Sequence, residues 1–372
     1  MSAHYLIAAG GTGGHMVPAH AVARELERRG GRVTLITDER GARIPGLFEG
    51  NERHIIDAAT VGKNPLKWPS ALLKILKGRR QARRIIRDDE PVAAIGFGGY
   101  PVLPAMLAAI KAMVPTLIHE QNAVLGRVNR LLASRVDRIA TSYAQTERLE
   151  HQGKATLTGN PVRADVADLA ETPYRPFDDL TPLRILILGG SLGATVLSKV
   201  VPAGLALLPE ELRQRVQVTQ QCRESDIADV AAAYRDAGIP AQLATYMEDV
   251  PQQLAATHLF IGRSGASTVS ELTAAGRPAI LVPLPIATDD HQAANTSELV
   301  EAGGAVMLRQ EQFTPEALAK QIAVMVENPG SLANAAARAR SVGRPNAASA
   351  LADIAEELAG IANAGAARQI TK

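Results

Sequence analysis

Short apolar runs alternate along the chain with longer stretches of three-to-four-residue periodicity, and the alternation occurs in two series. In the first, an apolar run at residues 5–9 ends in Gly10-Gly11, a helical pattern follows to Arg29, and a second run covers residues 32–37. Further runs lie at residues 92–96, 116–119 and 138–140. Apolar runs of this kind, separated by helical patterns, predict parallel strands covered by helices on both faces. The segment Thr158-Gly159-Asn160-Pro161-Val162-Arg163 and a stretch with Pro173, Pro176 and Pro182 interrupt the pattern. It then restarts, with runs at 184–188, 216–220, 259–261 and 279–282. The Ala-rich C-terminal stretch 345–362 spaces Leu351, Ile354, Leu358 and Ile361 by three or four, as a helix does. The expected architecture is α/β: two doubly wound parallel-sheet domains facing across a cleft, with ligands beyond the carboxyl ends of the strands.

Composition agrees with two domains of ordinary size. The chain has 372 residues, 46% hydrophobic and 21% charged, with only 3% aromatic, so Ala, Val, Leu and Ile build the cores. A formal charge of +2 gives no reason to expect nucleic acid as a partner. The single cysteine, Cys222, excludes a disulfide framework and a Cys-rich zinc site. The N-terminus lacks the basic start of a signal peptide, and no apolar stretch reaches the roughly 18 residues of a membrane span. The expected location is therefore cytoplasmic, or on a membrane surface.

Three glycine-rich segments sit where strands give way to helices: Gly10-Gly11-Thr12-Gly13-Gly14-His15, Gly96-Phe97-Gly98-Gly99-Tyr100-Pro101 and Gly189-Gly190-Ser191-Leu192-Gly193. Glycine lets backbone approach a ligand closely, and the N–H groups opening the next helix favour an anion. Tight strand-to-helix turns use glycine without any ligand, so it is the recurrence that points to phosphate. A dinucleotide fold competes, with Asp38 after the second strand as its ribose acid. Met16, however, stands where G-x-G-x-x-G needs its third glycine, and no Lys-Ser or Lys-Thr completes a Walker A loop.

The segment Arg263-Ser264-Gly265-Ala266-Ser267-Thr268-Val269-Ser270-Glu271 follows the third run of the second series. Its small residues allow backbone N–H groups and the Ser267 and Thr268 hydroxyls to converge on a diphosphate, while Glu271 suits a ribose diol. The structural alternative is a capping box with Thr268 as N-cap and Glu271 three residues on. Gln292 and Asn295 share a helix face suited to sugar hydroxyls, or form an ordinary polar face. Asp289 and Asp290 read as serving that helix's dipole, and no metal is expected.

With these residues in place, the chain resembles the MurG family, the UDP-N-acetylglucosamine:lipid I N-acetylglucosaminyltransferases of peptidoglycan synthesis. Residues 9–15, 96–101, His119-Glu120-Gln121-Asn122, 159–163, 189–194, 264–271 and 290–295 carry the resemblance, in order, over nearly the whole chain. It implies a GT-B fold of two Rossmann-like domains. Residues 1–163, completed by a C-terminal helix at 343–365, would take the acceptor, and residues 164–342 would take UDP-GlcNAc. It further implies that Ser191 and Thr268 contact the diphosphate, Glu271 the ribose, and Gln292 and Asn295 the GlcNAc hydroxyls. Arg163, Met247 (through its backbone) and Ala266 would line the nucleotide site, with Ser267, Val269 and Ser270 in the same donor segment. Thr12, Gly13, Gly14 and Asn122 would complete the site from the first domain, and Gly98, Gly99, Tyr100 and His119 would lie on the acceptor side. The implied reaction is inverting, with the muramyl 4-hydroxyl of lipid I attacking the anomeric carbon, and it needs no cofactor. His15 is the expected general base and Glu120 its competitor. A UDP-GlcNAc 2-epimerase of the same fold, or a nucleotide-sugar-binding protein without turnover, are the alternatives.

Between Lys63 and Arg87 there are nine Lys or Arg and no acid, and Trp68, the only tryptophan, lies among Leu66, Leu72, Leu73, Ile75 and Leu76. Basic residues with an apolar cluster predict a peripheral surface for anionic membrane at the cytoplasmic face, with Lys74, Lys77, Arg79 and Arg80 on the headgroups. A solvated basic helix with one buried face is the plainer reading.

Overall fold

The computed structural model describes residues 2–59, 68–178, 180–190, 194–328 and 330–370, with side chains through residue 360. The chain divides into two compact units, residues 1–163 with 346–372, and residues 164–345.

Unit 1 is built on β1 (His4–Ala8), β2 (Arg32–Thr37), β3 (Glu52–Ile55), β4 (Ala93–Gly96), β5 (Thr116–Glu120), β6 (Arg138–Thr141) and β7 (Ala155–Leu157). All pairings are parallel, in the order β3-β2-β1-β4-β5-β6-β7. Side-chain alternation sends successive residues of β1 to opposite faces. Tyr5 and Ile7 join Val22, Leu26 and Leu35 on one face, and Leu6 and Ala8 join Ile36, Ala82 and Met106 on the other. The C-terminal helix Ala347–Ile370 closes the first of these faces with Leu351, Ala355 and Leu358. Arg29 fastens it there, donating to Asp353 at 2.6 Å, Glu356 at 2.7 Å and Ser349 Oγ at 2.7 Å.

Unit 2 repeats the plan with β8 (Leu183–Leu188), β9 (Val216–Gln221), β10 (Ala241–Ala244), β11 (Leu259–Gly262), β12 (Ala279–Leu281) and β13 (Ala305–Met307). Its order is β10-β9-β8-β11-β12-β13, again all parallel. Leu183, Ile185 and Ile187 pack with Leu197 and Val201 on one face, and Leu186 with Leu254, Phe260 and Leu272 on the other.

In each unit the strand order reverses beside the first strand, between β1 and β4 and between β8 and β11. Such a switch point leaves a crevice at the carboxyl ends of its two strands. The predicted segments 10–15 and 96–101 flank one crevice, and 189–190 and 263–265 the other. Strands β3, β7, β10 and β13, absent from the sequence reading, are the four sheet edges.

Candidate active site

In unit 1 the two loops at the switch point interlock through backbone. A β-carbon on Gly99 would stand 2.5 Å from Gly10 O, and one on Gly10 would stand 2.4 Å from Pro101 Cγ. Gly98 and Gly99 have φ of 86° and 84°, a conformation that only glycine adopts readily. Asp38 fixes the first loop from the side, because its Oδ1 accepts from both Gly11 N and Gly41 N at 2.9 Å. The acid expected to serve a dinucleotide ribose is thus occupied in holding the loop and capping the helix Glu39–Ala42.

The helix Gly13–Arg28 begins after an extended Thr12 with no side-chain cap, so the first-turn N–H groups at Gly13 and Gly14 are left for a ligand or water. One residue on, the His15 ring lies over Gly98, where a β-carbon would come within 3.0 Å of both Cε1 and Nδ1. His119 lies on the neighbouring residue, its ring centroid 5.5 Å from that of Phe97. It is fully buried, with Nε2 at 3.1 Å from Gly159 O and 3.3 Å from Ser142 Oγ. Ser142 Oγ donates to Glu120 O, so the proton on His119 is assigned to Nε2, and Nδ1 has no hydrogen-bond partner among the described residues. Its pKa is lowered to about 4, chiefly by burial, with the Gly159 carbonyl working against the shift and the nearby His15 adding to it. Tyr100 is half exposed beside this group.

Glu120 is placed otherwise than expected for a base. Its carboxylate is buried and accepts from Asn122 N, Asn122 Nδ2, Gly126 N and Asn129 Nδ2 at 2.7–3.1 Å. Four donors occupy its lone pairs, and the result is a clamp that shapes the loop carrying Asn122. Sequence reading missed Asn129 and Gln121. Gln121 donates to Phe97 O at 2.6 Å, and both work through contacts that no local pattern marks.

In unit 2 the capping-box alternative does not hold. Gly265 is the N-cap of helix Ala266–Ala275, without a side-chain hydrogen bond, and Thr268 lies inside the first turn. The N–H groups at Ala266, Ser267 and Thr268 therefore open the helix uncapped, and Ser267 Oγ beside them is buried with no partner among the described residues. Two residues of this segment turn away. Val269 is packed in the core, and the Ser270 hydroxyl donates to Ala266 O at 2.9 Å. The Met247 side chain is buried in the same core cluster, which leaves its backbone for any contact. Ser191 and Leu192 lie outside the described residues. Arg163 closes unit 1 by sequence.

Gln292 and Asn295 attach the next helix to this loop. Ser264 Oγ donates to Gln292 O at 2.8 Å, and Asn295 Nδ2 donates to Ser264 O at 3.2 Å. Asn295 is fully buried, so its side chain holds the loop instead of facing a sugar. Gln292 accepts from Leu284 N at 3.0 Å through Oε1, which leaves its NH2 group as the end available to a ligand. In the acidic pair ahead of them, Asp290 stands at the N-cap position of helix His291–Ala294 without a side-chain cap hydrogen bond. Asp289 and Asp290 have φ of 56° and 52°, and Asp290 pairs with Arg309 at 2.8 Å. Arg263, half-buried, donates to Val282 O, Pro283 O and Gln310, and so fastens the loop after β12. Among the described residues the one grouping with metal-ligand geometry is Glu52, His54 and Asp89. It involves edge strand β3, and no residue of either crevice takes part.

Helix Trp68–Asp89 buries Ala71, Ile75, Gly78, Ala82 and Ile86. Ile75 therefore belongs to the core-facing stripe, contrary to expectation, while Trp68, Leu72, Leu73 and Leu76 are 43–67% exposed. Lys77 is drawn to Asp57 at 2.9 Å, and Lys74, Arg79 and Arg80 lie outside the buried stripe. Lys63 and Leu66 fall outside the described residues.

Residues 5–141 match the glycosyltransferase family 28 N-terminal domain and residues 184–358 the glycosyltransferase family 28 C-terminal domain. The UDP-N-acetylglucosamine–N-acetylmuramyl-(pentapeptide) pyrophosphoryl-undecaprenol N-acetylglucosamine transferase of Erythrobacter litoralis is 57% identical over 359 residues, 96% of this chain and 90% of that one. Its namesake in Novosphingobium aromaticivorans is 58% identical over 358 residues, 96% of this chain and 92% of that one. Among solved structures, MurG of Acinetobacter baumannii superposes with a TM-score of 0.75 at 32% identity, over 95% of this chain and 99% of that one. A UDP-GlcNAc 2-epimerase of Neisseria meningitidis reaches 0.67 at 13% identity over 94% and 98%, a likeness of fold alone.

Proposed function

The chain belongs to glycosyltransferase family 28 and has the GT-B fold, and from that premise we propose that it transfers GlcNAc from UDP-GlcNAc to the 4-hydroxyl of MurNAc in undecaprenyl-pyrophosphoryl-MurNAc-pentapeptide. The product is the disaccharide lipid used in peptidoglycan synthesis. The identity of 57% and 58% to transferases named for this reaction favours it over epimerisation.

One observation carries the chemistry: the uncapped start of helix Ala266–Ala275 with the Ser267 hydroxyl beside it, which has no partner among the described residues. A leaving diphosphate is an anion that gains charge as the glycosidic bond breaks, and fixed N–H and O–H donors stabilise it without a metal. Thr268 and the loop containing Ser191 add donors to the same group. Glu271 takes the ribose diol, the Met247 backbone and Ala266 take the base, and the Gln292 NH2 group takes a GlcNAc oxygen. In unit 1, His15 accepts the proton of the attacking hydroxyl, held in position by Gly98. The uncapped turn at Gly13 and Gly14, with Thr12 and Asn122, binds the acceptor's polar groups, with Gly99 and Tyr100 beside them.

The acceptor carries a polyprenyl chain, so the enzyme works at a membrane surface, the cytoplasmic face by this reading. No helix among the described residues is long and apolar enough to cross a membrane. Attachment is peripheral, through Trp68, Leu72, Leu73 and Leu76, with Lys74, Arg79 and Arg80 on anionic headgroups. Radiolabel from UDP-[14C]GlcNAc is expected in the lipid fraction only when the lipid-linked MurNAc acceptor is supplied. UDP release without acceptor, with conversion to ManNAc, would instead establish the epimerase.

A further inference from the structure

The loop between β12 and helix His291–Ala294 is held in a conformation that its residues do not favour. Asp289 and Asp290 have φ of 56° and 52°, two left-handed residues in succession and neither of them glycine. L-residues avoid this region because the β-carbon crowds the following carbonyl oxygen, and such strain persists only where surrounding contacts impose it. Inside the loop, Ala287 N donates to Leu284 O at 3.0 Å and Asp290 N donates to Ala287 O at 3.1 Å. From outside, the Asp290 carboxylate accepts from Arg309 at 2.8 Å. An aspartate at an N-cap position ordinarily accepts from the first N–H groups of its own helix. Asp290 does not, and its carboxylate goes to Arg309 instead.

Arg309 is itself fixed from both sides. Before it, Leu308 N extends the sheet by donating to Leu281 O at 2.9 Å, and after it, Gln310 Oε1 accepts from Arg263 at 2.7 Å. Two residues beyond Asp290 comes Gln292, whose Oε1 accepts from Leu284 N at 3.0 Å, back at the start of the same loop. The loop is therefore closed at its start by Gln292 and pinned at its end by Arg309. Together these contacts set the direction of the Gln292 NH2 group. We propose that Asp290 and Arg309 are positioning residues for the donor sugar: their ion pair pins the left-handed turn that aims the Gln292 NH2 group, and they act through it without touching the substrate. The inference rests on the donor reading above and extends it to a pair outside the binding segments. Both side chains are half exposed, so the pair adds little to the stability of the fold. Its effect falls on the part of the donor that Gln292 reads, the hexose, and not on the uridine diphosphate.

Titration calorimetry on the full-length protein, with UDP-GlcNAc and UDP as the two ligands, separates these contributions. Arg309→Met removes the charge at similar length, and Asp290→Asn removes the partner charge while keeping a residue that tolerates positive φ. Each should weaken UDP-GlcNAc binding about fivefold, the ceiling for an exposed ion pair, and leave UDP affinity and the thermal midpoint unchanged. The double variant should lose no more than either single one, because the same interaction is removed in all three. Arg309→Lys should keep most of the affinity, and Arg309→Met added to Gln292→Ala should have no further effect. Equal weakening of UDP, multiplied losses in the double variant, or a further fivefold loss on top of Gln292→Ala would each overturn the assignment. So would unchanged UDP-GlcNAc affinity in both single variants. Wild-type protein that failed to bind UDP-GlcNAc would reject the donor reading itself, an outcome separate from these.

Discussion

The imidazole of His15 lies directly against Gly98, so close that a single methyl group at position 98 would stand 3.0 Å from two of its ring atoms. Gly98 also has a φ of 86°, where an L-residue costs about 1–2 kcal/mol. Gly98→Ala should therefore displace the ring and lower kcat by about 10² or more, as losing a general base does. UDP affinity, assigned to unit 2 in the proposed function, should not change. His15→Gln should match it in kcat and remove the acid limb of the pH–rate profile. An active Gly98→Ala enzyme would move the base elsewhere.

Glu120 should behave as a structural clamp. Glu120→Gln turns an NH2 group toward donors that now meet a carboxylate, at a cost of about 1–3 kcal/mol. The thermal midpoint should fall by several degrees, while the pH–rate profile of the folded fraction keeps its shape. A collapse of kcat at unchanged midpoint would restore Glu120 as the base.

Ser267 offers the converse case. Its hydroxyl is buried with no partner among the described residues, so Ser267→Ala should leave the ligand-free protein as stable as before or slightly more so. Titration calorimetry should show UDP binding weakened by about 0.5–1.5 kcal/mol. Unaltered UDP binding would remove this hydroxyl from the diphosphate site.

Acid should destabilise the fold through buried neutral histidines. His119 keeps a pKa near 4 when folded, against the ordinary value of 6.5. In that window the unfolded chain binds a proton that the folded chain does not, so stability falls as pH drops from about 6.5 toward 4, by at most about 3 kcal/mol. His258 in unit 2, also near 4 and likewise held down mainly by burial, adds in the same direction. Urea midpoints measured from pH 7.5 to 5 should decline, and less steeply in His119→Asn. A flat wild-type profile would contradict this assignment.

What the sequence disclosed follows from which residues are covered. Interior strands such as Leu183–Leu188 are buried on both faces and read as unbroken apolar runs. The edge strands do not: Glu52–Ile55 is polar, and Ala155–Leu157 and Ala305–Met307 are three residues long. The glycine loops were legible because positive φ leaves glycine little competition. Asn295 and Glu120 misled because a polar side chain near a site looks the same in sequence whether it faces a ligand or braces a loop. Only the three-dimensional partners, Ser264 O for one and Gly126 N and Asn129 for the other, separate those roles. The pairing of Asp290 with Arg309 was not legible, since Arg309 lies beyond β13.

The contact between Gly10 and Gly99 bears on how such a site can vary over evolutionary time. A side chain on Gly99 would strike the Gly10 backbone, and one on Gly10 would strike Pro101 and Asp38, so neither position can drift alone. Two loops far apart in the chain thus form one heritable unit. A library that randomises either loop separately should recover glycine at both positions, and new acceptor specificities are more readily sought at Thr12 or Tyr100, whose side chains are already exposed.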